Sequence, residues 1–174
     1  STGLNIDPIV VVQKAVPGLY SDISSVEIDT YLAETAAALT VEHPDYSYLA
    51  ARIKVNSLHK ETPGFIIATK NLYDDGLLRE EYFKKVMENA DAIESIIDYD
   101  KDYTFDYFAL TTLIRAYLLK FDNRTIERPQ DLWMRVTLTV TGNEFNLDKI
   151  KETYKSLSSG MYTCLLYTSD AADE

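Results

Sequence analysis

The sequence predicts an all-α fold, and three observations support it. The chain has 174 residues and is 46% hydrophobic with only 6 glycines and 5 prolines, a composition typical of a folded helical protein rather than a linker. Apolar residues recur at spacings of three and four along most of its length, as one face of an α-helix requires. Capping residues, prolines and glycines fall between these stretches, where helices begin and end.

A helical hairpin is the most clearly marked part of the chain. Ser24 with Glu27 three residues later forms a capping-box pattern, which predicts the start of a helix. His43 and Pro44 interrupt the apolar pattern, and proline suits the start of a second helix that extends to about Glu61. Apolar stripes on both helices predict that they pack together. The stripes consist of Val26, Ile28, Leu32, Ala36 and Leu39 in the first helix, and of Tyr48, Ala51, Val55 and Leu58 in the second.

Further helices flank this hairpin. Asp7 and Pro8 predict a short helix that runs to Ala15. Residues 80–97 predict one long amphipathic helix, because apolar residues recur there at helical spacing. Residues 98–103 are polar and aromatic, and they predict a loop whose tyrosines pack against neighbouring helices. The stripe of the long helix consists of Phe83, Val86, Met87, Ala90, Ile93 and Ile97.

A tight turn is expected in the last third of the chain. Residues 121–124 resemble a turn between two short strands, at 118–121 and 125–127. The turn follows another helical stripe, which comprises Tyr107, Leu110, Ile114, Tyr117, Leu118 and Phe121.

Two helices are expected after this turn. Residues 136–141 alternate apolar and polar residues as a strand would, but the length of the segment and Pro129 at its start favour a helix. The final helix is predicted from about Asn146, a capping residue, to Ser158, with Gly160 beyond its end.

The acidic composition limits the partners of the chain. The net charge is −11, whereas nucleic acids and anionic lipids select clustered Lys and Arg, so neither is expected as a partner. No apolar run approaches the roughly 20 residues that a membrane span needs. A single cysteine, Cys164, excludes an internal disulfide and is compatible with a cytoplasmic location.

The sequence contains no motif for catalysis or metal binding. Dinucleotide-binding, Walker, HExxH and CxxC patterns are all absent. His43 and His59 are 16 residues apart, whereas a metal pair on one helix face needs a spacing of three or four, so both are interpreted as helix-end residues. Arg128 and Arg135 are predicted to pair with local acids rather than to bind phosphate. We therefore predict no catalytic residue and no metal ligand.

Three polar residues of the hairpin form a candidate binding site. Ser25 and Asp29 are four residues apart, so both project from one side of the first hairpin helix. A carboxylate there could accept a hydrogen bond from the exocyclic amine of adenine, with a hydroxyl in support. Lys60, at the end of the second helix, could reach a phosphate. The alternative interpretation is that Asp29 and Lys60 are ordinary charges that complement the helix dipoles.

Four strings identify a family that the chain resembles. They are DTYLAETAAALTVEHPDYSYLAARIKVNSLHKET at residues 29–62, DYDKDYTFDYFALTTLIRAYLLK at 98–120, ERPQDLWMRV at 127–136 and DKIKETYKSLSSGMYT at 148–163. In this order they closely resemble the large subunits of class I ribonucleoside-diphosphate reductases of the eukaryotic type. The resemblance extends over residues 3–163.

The resemblance implies a domain organisation. Residues 1–62 would be the C-terminal helices of an ATP-cone whose N-terminal hairpin is missing. Residues 63–163 would be the helical domain that precedes the reductase barrel. Residues 164–174 match nothing in the family and are expected to be a non-native tail.

The resemblance also implies a function. The family reduces ribonucleoside diphosphates to deoxyribonucleoside diphosphates for DNA synthesis, and this part would contribute an allosteric site rather than catalysis. Its effectors would be ATP and dATP, with no covalently bound cofactor, and Ser25, Asp29 and Lys60 fall on the nucleotide contacts of the family. The expected partners are the radical-generating small subunit and further copies of the large subunit. A different class of function, a stand-alone helical interaction module without enzymatic activity, is the alternative.

Overall fold

The computed structural model describes residues 3–142 and 144–160, and the fold of this part is helical as predicted. Nine α-helices account for most of it, and the only strands among these residues form one short hairpin. No helix in the described ranges is long and apolar enough to cross a membrane. The elements are α1 (Pro8–Ala15), α2 (Ser25–Ala38), α3 (Asp45–Glu61), α4 (Phe65–Asp74), α5 (Glu80–Glu88), α6 (Ala90–Glu94), α7 (Tyr107–Ala116), β1 (Lys120–Phe121), β2 (Arg124–Thr125), α8 (Pro129–Val140) and α9 (Leu147–Ser158).

Helices α1 and α2 begin at the predicted residues, and α3 begins at Asp45, one residue after the predicted Pro44. The side chain of Asp7 accepts a hydrogen bond from the backbone N–H of Ile9 at 3.0 Å and caps α1. Ser24 and Glu27 form the complete capping box of α2, with side-chain bonds in both directions. Helices α2 and α3 form the antiparallel hairpin, and α1 packs against α2. Their shared core contains Val11, Ala36, Leu39, Tyr46 and Ala50.

Two residues of the predicted stripes are exposed. Val26 is 41% exposed and Tyr48 is 39% exposed. Val26 occupies the first turn of α2, and the buried positions of that helix are Ala33 and Ala36 further along. The aromatic residue of α3 that enters the core is Tyr46, two positions before Tyr48.

The prediction of one long helix over residues 80–97 is wrong, because the helix is interrupted at Asn89. This residue has φ −122° and ψ 22°, and it separates α5 from α6. Its side-chain amide donates to the carbonyl oxygen of Lys85 at 2.8 Å, which replaces part of the interrupted backbone pattern. Asn is a residue that competes for backbone hydrogen bonds in this way. The break still lets Val86 and Ile93 enter one core.

The turn after α7 is present, and its strands are shorter than predicted. Each strand has two residues, with Lys120 opposite Thr125 and Phe121 opposite Arg124. Asp122 and Asn123 have φ of +47° and +63°, the left-handed backbone that a two-residue hairpin loop requires.

Helices α8 and α9 confirm the remaining predictions. Pro129 starts α8, and Asn146 caps α9 by accepting from the backbone N–H of Lys149 at 3.0 Å. The two helices pack together and contact α4, α5 and α6 through a core that contains Phe65, Val86, Ile93, Met134, Leu138, Ile150 and Tyr154.

A third group of core residues joins the hairpin to the rest of the molecule. Ala51 and Val55 of α3 pack against Leu110 of α7, and all three are fully buried. Tyr103 lies beside them in a short 3₁₀ segment, Tyr99–Thr104, which occupies the region predicted to be a loop. The predicted packing of its tyrosines is therefore confirmed.

Candidate functional site

The structure brings Asp29 and Lys60 into direct contact. Because α2 and α3 are antiparallel, the beginning of α2 lies beside the end of α3. The Lys60 Nζ donates to Asp29 Oδ2 at 2.9 Å across this gap. The Asp29 side chain is 19% exposed and that of Lys60 is 55% exposed. The pair therefore lies at the surface, with its carboxylate partly covered.

Ser25 lies one turn before Asp29 on the same side of α2. It is exposed, and the cap of the helix uses the neighbouring Ser24 instead. Within the described part of the chain, the Ser25 hydroxyl has no hydrogen-bond partner. A free hydroxyl one turn from a carboxylate can donate to, or accept from, a polar ligand at this face.

The dipoles of the two helices stabilise the opposite charges of Asp29 and Lys60. Asp29 follows the first turn of α2, where the helix dipole is positive, and Lys60 is in the last turn of α3, where it is negative. Lys60 is more than half exposed, so the free energy of folding that the ion pair contributes is small, about 1 kcal/mol or less. Opening the pair therefore costs little.

Arg128, the residue immediately before α8, holds the end of α3 in place. Arg128 Nε donates to Thr62 Oγ1 at 3.0 Å, and Nη2 donates to the carbonyl oxygens of Thr62 at 2.8 Å and His59 at 3.1 Å. These carbonyls lie where a helix end leaves oxygens unsatisfied. The guanidinium also lies over the ring of Tyr99, at 4.9 Å from its centroid. Lys60 is thus carried on a fixed helix end.

Both arginines are predicted from the sequence to pair with local acids. The prediction is correct for Arg135 and wrong for the side chain of Arg128. Arg135 binds the buried Glu127 through two hydrogen bonds of 2.6 and 3.1 Å. Arg128 donates to backbone carbonyls and a hydroxyl instead of an acid. The difference arises because Arg128 faces the end of α3, where carbonyl oxygens are the available acceptors.

His59 belongs to a buried pair that the sequence did not predict. Its Nε2 lies 2.7 Å from Oδ2 of Asp102, a residue with no exposed surface. The rings of Tyr99 and Tyr103 meet the imidazole edge-on, each with centroids 5.7 Å apart. Burial raises the pKa of the Asp102 carboxyl, and the hydrogen bond from His59 opposes that rise. The partners are 43 residues apart, and no local pattern marks such a pair.

Within the part of the chain that the structure describes, the charged and imidazole side chains do not assemble into a metal site. Among residues 3–142 and 144–160, no group of three or more His, Cys, Asp or Glu side chains could hold a metal ion. His59 is committed to Asp102, and His43 Nδ1 accepts from the backbone N–H of Asp45 at 3.1 Å.

Comparison with known proteins assigns the chain to a family. A family model described as the all-α domain of ribonucleotide reductase matches residues 103–164. Over 91% of its length the chain is 38% identical to the ribonucleoside-diphosphate reductase large subunit of Dictyostelium discoideum. Identity to the large subunits of Caenorhabditis elegans and Arabidopsis thaliana is 39% and 38%, over 94% and 90% of the chain. The chain belongs to the ribonucleotide reductase large-subunit family.

This ribonucleotide reductase segment is short in comparison with its relatives. It spans 19% of the Dictyostelium protein, 22% of the Caenorhabditis protein and 20% of the Arabidopsis protein. The predicted resemblance and the all-α architecture are confirmed. The domain boundaries at residues 62 and 163 stay predictions, and the predicted tail at 164–174 lies outside the described residues.

Proposed function

We propose that this chain is the regulatory and scaffolding part of a ribonucleoside-diphosphate reductase large subunit. The whole protein would reduce ribonucleoside diphosphates to deoxyribonucleoside diphosphates for DNA synthesis. The observation that carries the proposal is the similarity to such subunits over nine-tenths of the chain. The family chemistry needs a cysteine pair, whereas this segment contains one cysteine. Its contribution is therefore the control of the reaction rather than the chemistry itself.

The control site would be formed by Ser25, Asp29 and Lys60, with ATP and dATP as effectors. In this arrangement the Asp29 carboxylate accepts a hydrogen bond from the adenine amine, and the Ser25 hydroxyl supports the nucleotide. Lys60 binds a phosphate. An adenine amine and a phosphate are at opposite ends of the nucleotide, so Lys60 must leave Asp29 when the ligand binds.

The exposed ion pair suits such a change. A pair that contributes about 1 kcal/mol or less separates at little cost, and each partner then gains a ligand contact. The rest of α3 stays in place because Arg128 holds the carbonyls of its last turn. The movement is therefore confined to the Lys60 side chain, while the wall that carries it is preorganised.

The remaining features of the proposal concern the whole subunit. Residues 1–62 would belong to an ATP-cone and residues 63–163 to the helical domain before the barrel. The subunit would act in the cytoplasm with a radical-generating small subunit and would associate with further copies of itself. ATP and dATP would shift that association by binding one assembly more tightly than another.

The decisive variant is Asp29→Asn in the full-length subunit that carries this segment. We expect dATP binding, measured by isothermal titration calorimetry, to weaken about tenfold, because the amide presents a weaker acceptor than the carboxylate. The matched control is Glu42→Gln. Glu42 forms a similar exposed ion pair with Lys14, with the two charged atoms 2.7 Å apart, and this pair lies away from the site. That variant should bind dATP as tightly as the wild type.

Two results would reject parts of this proposal. Unchanged dATP binding in Asp29→Asn would show that the assignment of Asp29 is wrong, even though the subunit binds dATP. No dATP binding by the wild-type subunit would remove the allosteric role altogether. The alternative, a helical interaction module, would then be preferred, and the exposed apolar side chains of Ile9, Val12 and Val16 favour it.

A further inference from the structure

A second cleft lies between α3 and the β-hairpin, on a different side of α3 from Lys60. It has a volume of about 480 Å³, within the range of small-molecule sites. Lys54, Leu58 and Glu61 of α3 form one wall, because residues spaced by four and seven share a helix face. Ile114 of α7 and Arg124 of the hairpin line the cleft opposite them.

Two cations, Lys54 and Arg124, line this cleft. Neither the Lys54 ammonium nor the Arg124 guanidinium forms a hydrogen bond or ion pair within the described ranges. This is unexpected in a chain with 28 acidic and 17 basic residues, where carboxylates are abundant. Lys54 is half-buried, so its charge is less screened than that of a fully exposed lysine. Unpaired cations that face one cavity attract an anion.

The hairpin that carries Arg124 is held in place by a buried anchor. Glu127 follows the hairpin and is 4% exposed. One of its oxygens accepts from the backbone N–H of Leu119 at 3.0 Å, before the hairpin, and Arg135 of α8 binds both oxygens. The two sides of the hairpin are thereby fixed to α8. Because both walls are preorganised, a ligand does not need to order the cleft when it binds.

The acid in the cleft restricts the ligand further. Glu61 lies seven residues after Lys54, about 10 Å along the helix axis. The Ser57 hydroxyl donates to one of its oxygens at 2.8 Å, and the carboxylate can accept another donor. Apolar Leu58 lies between the two charges. We infer that this cleft binds a phosphate monoester, with its phosphate on Lys54 and Arg124 and a hydroxyl or amino group toward Glu61.

Isothermal titration of the full chain with sodium pyrophosphate tests the anion site directly. At about 0.1 M NaCl the wild type should bind the probe with a saturable isotherm. Arg124→Gln and Lys54→Gln should each weaken binding about tenfold, since each removes one charge-assisted contact. Glu61→Gln should tighten it, because a negative charge leaves the cleft. Circular dichroism verifies that each variant is folded. If Lys54→Gln does not fold, the binding measured for Arg124→Gln alone tests the inference.

Matched variants separate the site from general electrostatics. Lys70→Gln and Arg115→Gln remove the same charge from exposed positions outside the cleft and should bind pyrophosphate as the wild type does. Equal weakening in all these variants, or no saturable binding, would overturn the inference. If citrate bound more tightly than pyrophosphate, the inferred phosphate ligand would be wrong and a carboxylate ligand would be indicated.

Discussion

Asp131 accepts hydrogen bonds from two elements while almost fully buried. The Tyr99 hydroxyl donates to Oδ1 at 2.7 Å, and the backbone N–H of Arg128 donates to Oδ2 at 3.0 Å. Burial raises the pKa of the carboxyl from 3.8 to about 6, despite these bonds and the nearby guanidinium. The folded state therefore holds the Asp131 proton more tightly than the unfolded chain does. The resulting contribution to stability is complete below pH 3.8 and is lost as the pH rises through about 6.

This linkage predicts a pH-dependent difference between the wild type and Asp131→Asn. As the pH falls from 7.5 to 5, the free energy of unfolding of the wild type should rise by about 1 kcal/mol relative to the variant. Urea denaturation of both proteins at several pH values measures this difference. Contributions from other groups are common to both proteins and cancel. A difference that stays constant across this range would contradict the raised pKa.

Some roles of individual polar residues can be predicted from local spacing, and others depend on how the helices pack. The capping role of Ser24 and the shared face of Ser25 and Asp29 follow from spacings of three and four within one helix. The pairing of His59 with Asp102 does not, because it depends on how α3 packs against the 3₁₀ segment 43 residues later. The contact of Asp29 with Lys60 is intermediate, since the hairpin places them near each other and only the packed structure gives 2.9 Å.

At the level of elements, the end of α3 depends on α8. Three hydrogen bonds from Arg128 reach Thr62 and His59, and the fork of the guanidinium makes them simultaneously. Lysine has no such fork and cannot reproduce this geometry.

Arg128→Met should therefore destabilise the fold by about 2 to 3 kcal/mol, because charge-assisted bonds are lost and helix-end carbonyls become unsatisfied. Arg128→Lys should recover less than half of that loss. Chemical denaturation measures both, with Arg115→Met as an exposed control expected within about 0.5 kcal/mol of the wild type. If Arg128→Met resembles the control, Arg128 does not hold the end of α3.

The break between α5 and α6 shows what periodicity misses. Residues 80–97 have a continuous apolar stripe, and both Val86 and Ile93 reach the core as the stripe predicts. Helical spacing does not reveal that the axis changes at Asn89, because a stripe continues through a short interruption. The side-chain bond of Asn89 to Lys85 indicates the local cause.

Exposed apolar residues are concentrated near the start of the chain. Ile9, Val12 and Val16 are 60%, 52% and 56% exposed, while Val11 on the opposite side of α1 is buried against α2. Their spacing of three and four places them on one face. An apolar face of this kind favours association.

The isolated chain should therefore self-associate at high concentration. Size-exclusion chromatography with light scattering should give masses above the 19.8 kDa of a monomer, and these masses should increase with concentration. Val12→Glu should shift the protein toward the monomer, because it places a charge on this face. Phe108→Glu changes an equally apolar residue, 79% exposed on α7, and should leave the mass distribution unchanged. A monomer at all concentrations would contradict this prediction.

The sequence by itself determined the all-α class, the caps of α1, α2 and α9, and the candidate site on the hairpin. These features depend on residues within one or two helical turns, or on strings long enough to identify a family. Only the tertiary structure decided that Lys60 pairs with Asp29, that Arg128 holds the end of α3 and that Lys54 and Arg124 share a cleft. Those contacts join residues 31 to 70 positions apart, and their geometry is fixed by the packing of whole helices rather than by local spacing.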